Sequence, residues 1–245
     1  LAQLVAFAPT AWAFTFAFPR PRAVGSSSSC AAVISLPNHR ESRLYFFDKV
    51  FEEAGPLGKG VTVGKVQLAL RSHDRGSSSI FSILEEEARL TDDSPDPEDL
   101  ASMASSVCLA LLRRTDEWVA ACSTSEWFKQ DDAGKAESLF NDWANKEAAK
   151  FEKDYIPGPD SDSKGESTIV VVSLVIEIIG DSTKFDGAGF SFQGTKDVLS
   201  SIASDAMVED GECINAVELF WTPSDREEVL LAPDMILDFP ELIDL

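Results

Sequence analysis

Residues 169–179 read Ile-Val-Val-Val-Ser-Leu-Val-Ile-Glu-Ile-Ile. Branched side chains that crowd the turns of a helix fit a pleated strand, so this run predicts a strand. Both alternations are apolar except at Ser173 and Glu177, which is how a strand covered on both faces reads. It is expected to be the central strand. Such a strand cannot stand alone: amphipathic helices must cover both sides of its sheet, and the remaining chain must supply them.

Two further strands and several helices are legible. Val61 and Val63, then Val66, Leu68 and Leu70, alternate over residues 61–70, with an irregularity expected at Gly64. Residues 214–221 alternate before Pro223 ends them. Helical spacing appears over residues 77–90, with Ile80, Phe81, Ile83 and Leu84 inward, and again after Asp96 or Asp99, where Leu100, Met103, Val107, Leu111 and Leu112 share a face. That pattern is read as running on to Trp118 and Val119. Residues 131–153 place Leu139, Phe140, Trp143 and Ala144 on one side, residues 196–207 form another helix, and residues 157–164 are a linker. A short helix precedes Phe239-Pro240. Strand, helix, strand over residues 169–221 implies a parallel pair with a right-handed crossover. The expected fold is a single α/β domain: a small mixed sheet of three core strands, at least one pair parallel, covered by helices.

Ahead of this lies a segment of different composition. Residues 1–40 contain no Asp or Glu but hold Arg20, Arg22 and Arg40 and the serines 26–29, the make-up of an organelle transit peptide. Phe7-Ala8-Pro9 resembles the junction of bipartite plastid-targeting sequences in algae with complex plastids. A membrane anchor over residues 1–18 is the competing reading, opposed by Gln3, Pro9, Thr10 and Thr15. Residues 41–58 read as a short amphipathic helix through Leu44, Phe47, Val50 and Phe51 with a linker, and residues 59–245 as the domain. With 42 acidic against 21 basic residues, net charge −21 and pI near 4.3, the chain repels phosphate backbones, so nucleic acid is excluded as an expected partner.

Motifs for common chemistry are absent. Gly189 and Gly194 with Thr195 and Lys196 imitate a phosphate loop, but the lysine follows the hydroxyl residue instead of preceding it. His73 is the only histidine outside the leader, and no G-x-S-x-G elbow occurs. Cys30, Cys108, Cys122 and Cys213 lack C-x-x-C spacing and read as free thiols. No metal site and no cofactor are expected. The charges that stand out are Glu177, Glu218 and Lys65, each within an apolar strand. A desolvated carboxylate must be paired or protonated, so adjoining strands could gather the three into a catalytic group; acids reaching solvent or tied in structural ion pairs are the simpler account. Acidic residues 92–99 offer a third reading, weak divalent-cation binding. Phe46, Phe47, Phe51, Trp127 and Trp143 are candidate partner-binding anchors.

Several blocks together resemble the fluctuating-light-acclimation protein family of plants, algae and cyanobacteria. These are residues 61–70 (VTVGKVQLAL), 109–114 (LALLRR), the strand 169–179, and 216–223 (AVELFWTP) with 238–242 (DFPEL), in the same order from about Gly60 to Leu245. Val217, Glu218, Trp221, Thr222, Pro223, Phe239 and Pro240 carry its most specific part. The resemblance implies a plastid protein, thylakoid-associated, that adjusts photoprotection and the proton gradient as light changes, with no enzymatic activity. Relatives usually carry membrane segments upstream, which this chain replaces with the Leu44–Phe51 helix, so peripheral attachment to a thylakoid membrane protein complex, a photosystem being one candidate, is the expectation.

Overall fold

The computed structural model describes residues 54–73, 75–91, 95–150, 167–224 and 228–245. The targeting segment, the helix through Leu44 and the anchors Phe46, Phe47 and Phe51 lie outside the described residues.

Among the described residues five strands form one sheet: β1 (Val61–Ser72), β2 (Trp118–Phe128), β3 (Thr168–Ile179), β4 (Ile214–Thr222) and β5 (Ile243–Asp244). Their order is β4-β3-β1-β2-β5, and every pairing is antiparallel. The expected three strands with a parallel pair are therefore wrong, although the α/β mixture stands. Burial on both faces, not strand direction, makes a strand read as continuously apolar, and antiparallel β3 meets that condition as well as a parallel strand would. The central position belongs to β1, with β3 beside it. Gly64 keeps register with both neighbours, whereas the irregularity against β2 falls at Ala69 and Leu70.

The route from β3 to β4 explains how one helix joins antiparallel neighbours. After Ile179 the chain first travels the length of the sheet: Phe185 packs over Gly64, the Phe185 carbonyl accepts from Ser123 Oγ, and Gly189 reaches β2. A Cβ at Gly64 would sit 2.0 Å from the Phe185 ring, and one at Gly189 (φ +86°) would lie 2.2 Å from the Ala121 carbonyl oxygen, so both positions need glycine. Ser191 then caps α4 (Phe192–Ala206), Phe192 stacks on Trp118 with centroids 6.0 Å apart at the far end, and the helix runs back to where β4 begins. The outward leg is the loop. A crossover that returns to its own end pairs the strands antiparallel.

Alternation sorts the strand residues between two cores. Val66, Leu68, Leu70, Val172, Leu174, Ile176 and Leu219 face α1 (Ile80–Leu90), α2 (Pro97–Leu112) and α4. On this first face α2 and α4 approach closely over Ala101, Ala104, Ser105 and Cys108, with Ser105 Oγ donating to the Ala203 carbonyl at 2.8 Å. Of the two caps the sequence offers, Asp96 starts α2, and Asp99 closes a capping box with it. Val61, Val63, Ala69, Ile169, Val171, Val175 and Phe220 face α3 (Ala133–Lys150) and α5 (Ala232–Asp238), where Ala136, Phe140, Ala144, Met235 and Phe239 close the second core. Each fully buried aliphatic or aromatic side chain contributes about 1.5–3 kcal/mol. Among the described residues no helix is long and apolar enough to cross a membrane.

Candidate functional site

The second face carries a seam of polar side chains inside its apolar border. Odd-numbered residues of β1 point toward α3, which puts Lys65 and Gln67 on that side between Val63 and Ala69. Ser173 of β3 joins them from the neighbouring strand, where it pairs with Gln67. From above, α3 contributes Glu147, which continues the inward positions Ala136, Phe140 and Ala144 by a further turn. Glu147 is 1% exposed.

Its carboxylate is the hub. Oε1 receives the Lys65 ammonium at 2.7 Å and the Lys150 ammonium at 3.3 Å, while Oε2 accepts from Gln67 Nε2 at 2.8 Å and Ser173 Oγ at 3.2 Å. Gln67 Nε2 also donates to Ser173 Oγ, and Gln67 Oε1 accepts from the Cys122 thiol. Lys150 extends the chain to Glu241, and its ammonium stands 5.2 Å from the Phe239 ring centroid. Burial would pull the Lys150 pKa down, but the hydrogen bond to Glu241 and the charge of Glu147 prevail and raise it. Burial likewise pushes Glu241 up, and its bond to Lys150 brings it below the usual value. The two acids and two ammonium groups neutralise one another. Burial pushes Cys122 up to about 12, so that it stands as a thiol donor and not as a thiolate nucleophile.

The three charges singled out in the strands share this face without meeting. Lys65 and Glu218 stand on either side of Val175 in one pairing row, two strand spacings or roughly 10 Å apart. Glu177 lies in the next row, between Val63 and Ala216. A register shift makes Asn215 the extra residue of β4, and its amide donates to Glu177 Oε1 at 2.8 Å. Glu218 is 4% exposed, has no hydrogen bond or ion pair among the described residues, and burial pushes it up to about 7. Lys65 is therefore bound to Glu147, Glu177 to Asn215, and Glu218 to neither.

The remaining candidates scatter. Trp127 is 45% exposed and donates from Nε1 to the Lys59 carbonyl at 2.7 Å; Trp143 packs against the second core from its edge. Val217 and Phe239 are buried in opposite cores, and Trp221 leans on the first. The Thr222–Pro223 bond is cis, and Pro240 is exposed just past α5. Sequence reasoning missed Glu147, Gln67, Lys150 and Glu241, though Ala136, Phe140, Ala144 and Glu147 follow an inward helical spacing that could have exposed the first. It also missed the outward apolar side chains Phe190 (82% exposed), Ile236 and Leu237. Among the described residues no three His, Cys, Asp or Glu side chains are grouped to hold a metal ion.

The model of the family described as Protein of unknown function (DUF1517) matches residues 60–245. A curated relative, Protein FLAP1 homolog A of Synechocystis sp. (strain ATCC 27184 / PCC 6803 / Kazusa), is 24% identical over 153 residues, covering 55% of this chain and 43% of that protein. The match thus takes in less than half of that relative's length. No solved structure matches the chain. By the extent of the family match the chain belongs to the family of unknown function DUF1517, and the resemblance to fluctuating-light-acclimation proteins read from residues 61–70, 216–223 and 238–242 is borne out.

Proposed function

We propose that this chain acts in acclimation to fluctuating light as a protein-binding module peripherally attached at the thylakoid of a plastid, adjusting photoprotection through a membrane-complex partner and not through chemistry of its own. The relative's name supports the light-acclimation part of this reading. The observation that carries the binding part is the closed accounting of the seam. Glu147 is held by both ammonium groups, by Gln67 and by Ser173, so this buried charge cluster is spent on fastening α3 to the sheet. Apolar side chains meanwhile point outward: Trp127 at the end of β2, Phe190 on the loop beside β5, and Ile236 and Leu237 on α5. Exposed aromatic and aliphatic groups of this kind are what a protein partner covers.

Salt-washed membranes test the proposal. The full chain should sediment with thylakoids and be released by salt, and a Phe190→Ser/Leu237→Ser variant that folds normally should fail to sediment. Wild-type protein that remains in the supernatant before any wash would contradict it.

A further inference from the structure

β2 is an outer strand along most of its length. β5 covers it only at Ala120 and Ala121, so residues 123–127 have no strand beyond them among the described residues. Peptide direction alternates along the strand. The Phe128 carbonyl oxygen lies against Gly60 on the β1 side, whereas the Val119 carbonyl accepts from the Leu245 amide and the Ala121 carbonyl lies against Gly189 on the outer side. Ser123, Ser125 and Trp127 therefore turn their N–H and C=O groups away from β1, and no backbone bond meets them there among the described residues. An open row of this kind is a template for another strand, and proteins usually blunt it with lysine, proline or a bulge. Here the register shift falls at the Trp118 end, and residues 123–127 hold neither lysine nor proline.

We propose that this edge pairs with the same edge of a second copy, antiparallel about a two-fold axis at Ser125, joining two sheets into one. The edge is self-complementary in length and in charge. With the axis at Ser125, that residue meets its own copy and Ser123 meets Trp127 of the other chain, so every outward residue of the free stretch is paired. Exposed Glu126 then stands opposite exposed Thr124, whose hydroxyl can donate to the carboxylate. Neighbouring registers fail. An axis at Thr124 drives Trp127 against Ala121, where Ile243 of β5 already sits, and an axis at Glu126 sets the two Glu126 carboxylates face to face. An axis between two residues sets outward groups against inward ones and forms no bonds. The contact is small, so the association is weak, on the order of micromolar. The pairing uses no group of the Glu147 seam and does not rest on the proposed role in light acclimation.

Sedimentation equilibrium of the full chain tests it, in about 0.15 M salt to screen the repulsion between two chains of net charge −21. The average mass should climb from 26.6 kDa toward twice that value as concentration rises through roughly 1–200 µM. Ser125→Pro removes an outward N–H without touching a bond to β1, and should hold the chain at the monomer mass. Thr124→Glu, which sets like charges opposite each other, should weaken association about tenfold, and Thr124→Glu/Glu126→Lys, which sets opposite charges there, should restore it. Should Ser125→Pro fail to fold, the two variants at the exposed positions 124 and 126 decide alone. A wild type that stays monomeric throughout, association indifferent to Thr124→Glu, or a double variant no better than the single one would overturn the proposal.

Discussion

The Lys65 ammonium lies 2.7 Å from Oε1 of Glu147, so a strand residue and a helix residue 82 positions later share one ion pair whose acid is 1% exposed. Around it Gln67, Ser173 and Lys150 are all aimed at the same carboxylate. Such a pair adds little net stability over an apolar replacement, but cutting it leaves buried charge without a partner.

Glu147→Ala should accordingly destabilise the chain by about 3–5 kcal/mol, because Lys65 loses its counter-charge and Gln67 an acceptor. Glu147→Gln, which keeps the shape and one acceptor oxygen, should cost roughly 1–3 kcal/mol. Urea unfolding at neutral pH measures both. A loss below about 0.5 kcal/mol for the alanine variant would mean that the hub does not hold α3 to the sheet.

Gly64 and Phe185 form a tight joint of the loop that crosses the first face, with the ring occupying the place a side chain would need. Gly64→Ala should cost about 1–3 kcal/mol through overpacking, and Phe185→Ala about 3–5 kcal/mol through the cavity it leaves. Combined, the two should cost distinctly less than their sum, since the small residue now finds room. Strict additivity in unfolding measurements would show that the ring does not rest on Gly64.

At the start of α2 the Asp96 side chain accepts from the Asp99 amide while Asp99 returns a bond to the Asp96 amide. Asp96→Ala should lower stability by about 0.5–2 kcal/mol and Asp96→Ser by much less. Calorimetry of the two variants gives the comparison; equal losses would assign the effect to charge and not to capping.

Burial pushes Cys108 and Cys122 up to about 12. Native protein at pH 8 should therefore resist alkylation at both sites, with labelling appearing only in denaturant. Peptide mapping after brief iodoacetamide treatment reads each cysteine separately, and rapid native labelling of Cys108 would contradict its place between α2 and α4.

How much of this was legible in sequence follows from what kind of pattern each part leaves. β1, β3 and β4 are strongly apolar and alternate or saturate both faces, so their positions could be read to within a residue or two. β2 could not: Val119-Ala120-Ala121 continues the small apolar composition of α2, and the polar half Ser123–Glu126 lies at the sheet's less covered side, so Trp118–Phe128 reads as helix end and turn. The two residues of β5 leave no period at all. Direction was misread because a strand-helix-strand string does not reveal that residues 180–191 make the outward journey before the helix begins. In the site, Lys65, Glu177 and Glu218 stood out as charges in apolar strands, but Glu147 sits among Asn145, Lys146 and other surface residues and is marked only by its helical phase. A buried partner on a polar helix is hard to see until the helix is docked.

The most direct test of the account asks which surface the chain works through. Photosynthetic cells lacking this protein, complemented with variants shown to fold, would be followed by chlorophyll fluorescence under alternating strong and weak light. Lys65→Met and Glu177→Gln should restore the wild-type response, and Phe190→Ser/Leu237→Ser should behave like the deletion. Loss of function confined to the Lys65 and Glu177 variants, with the outward apolar variant fully active, would contradict the account.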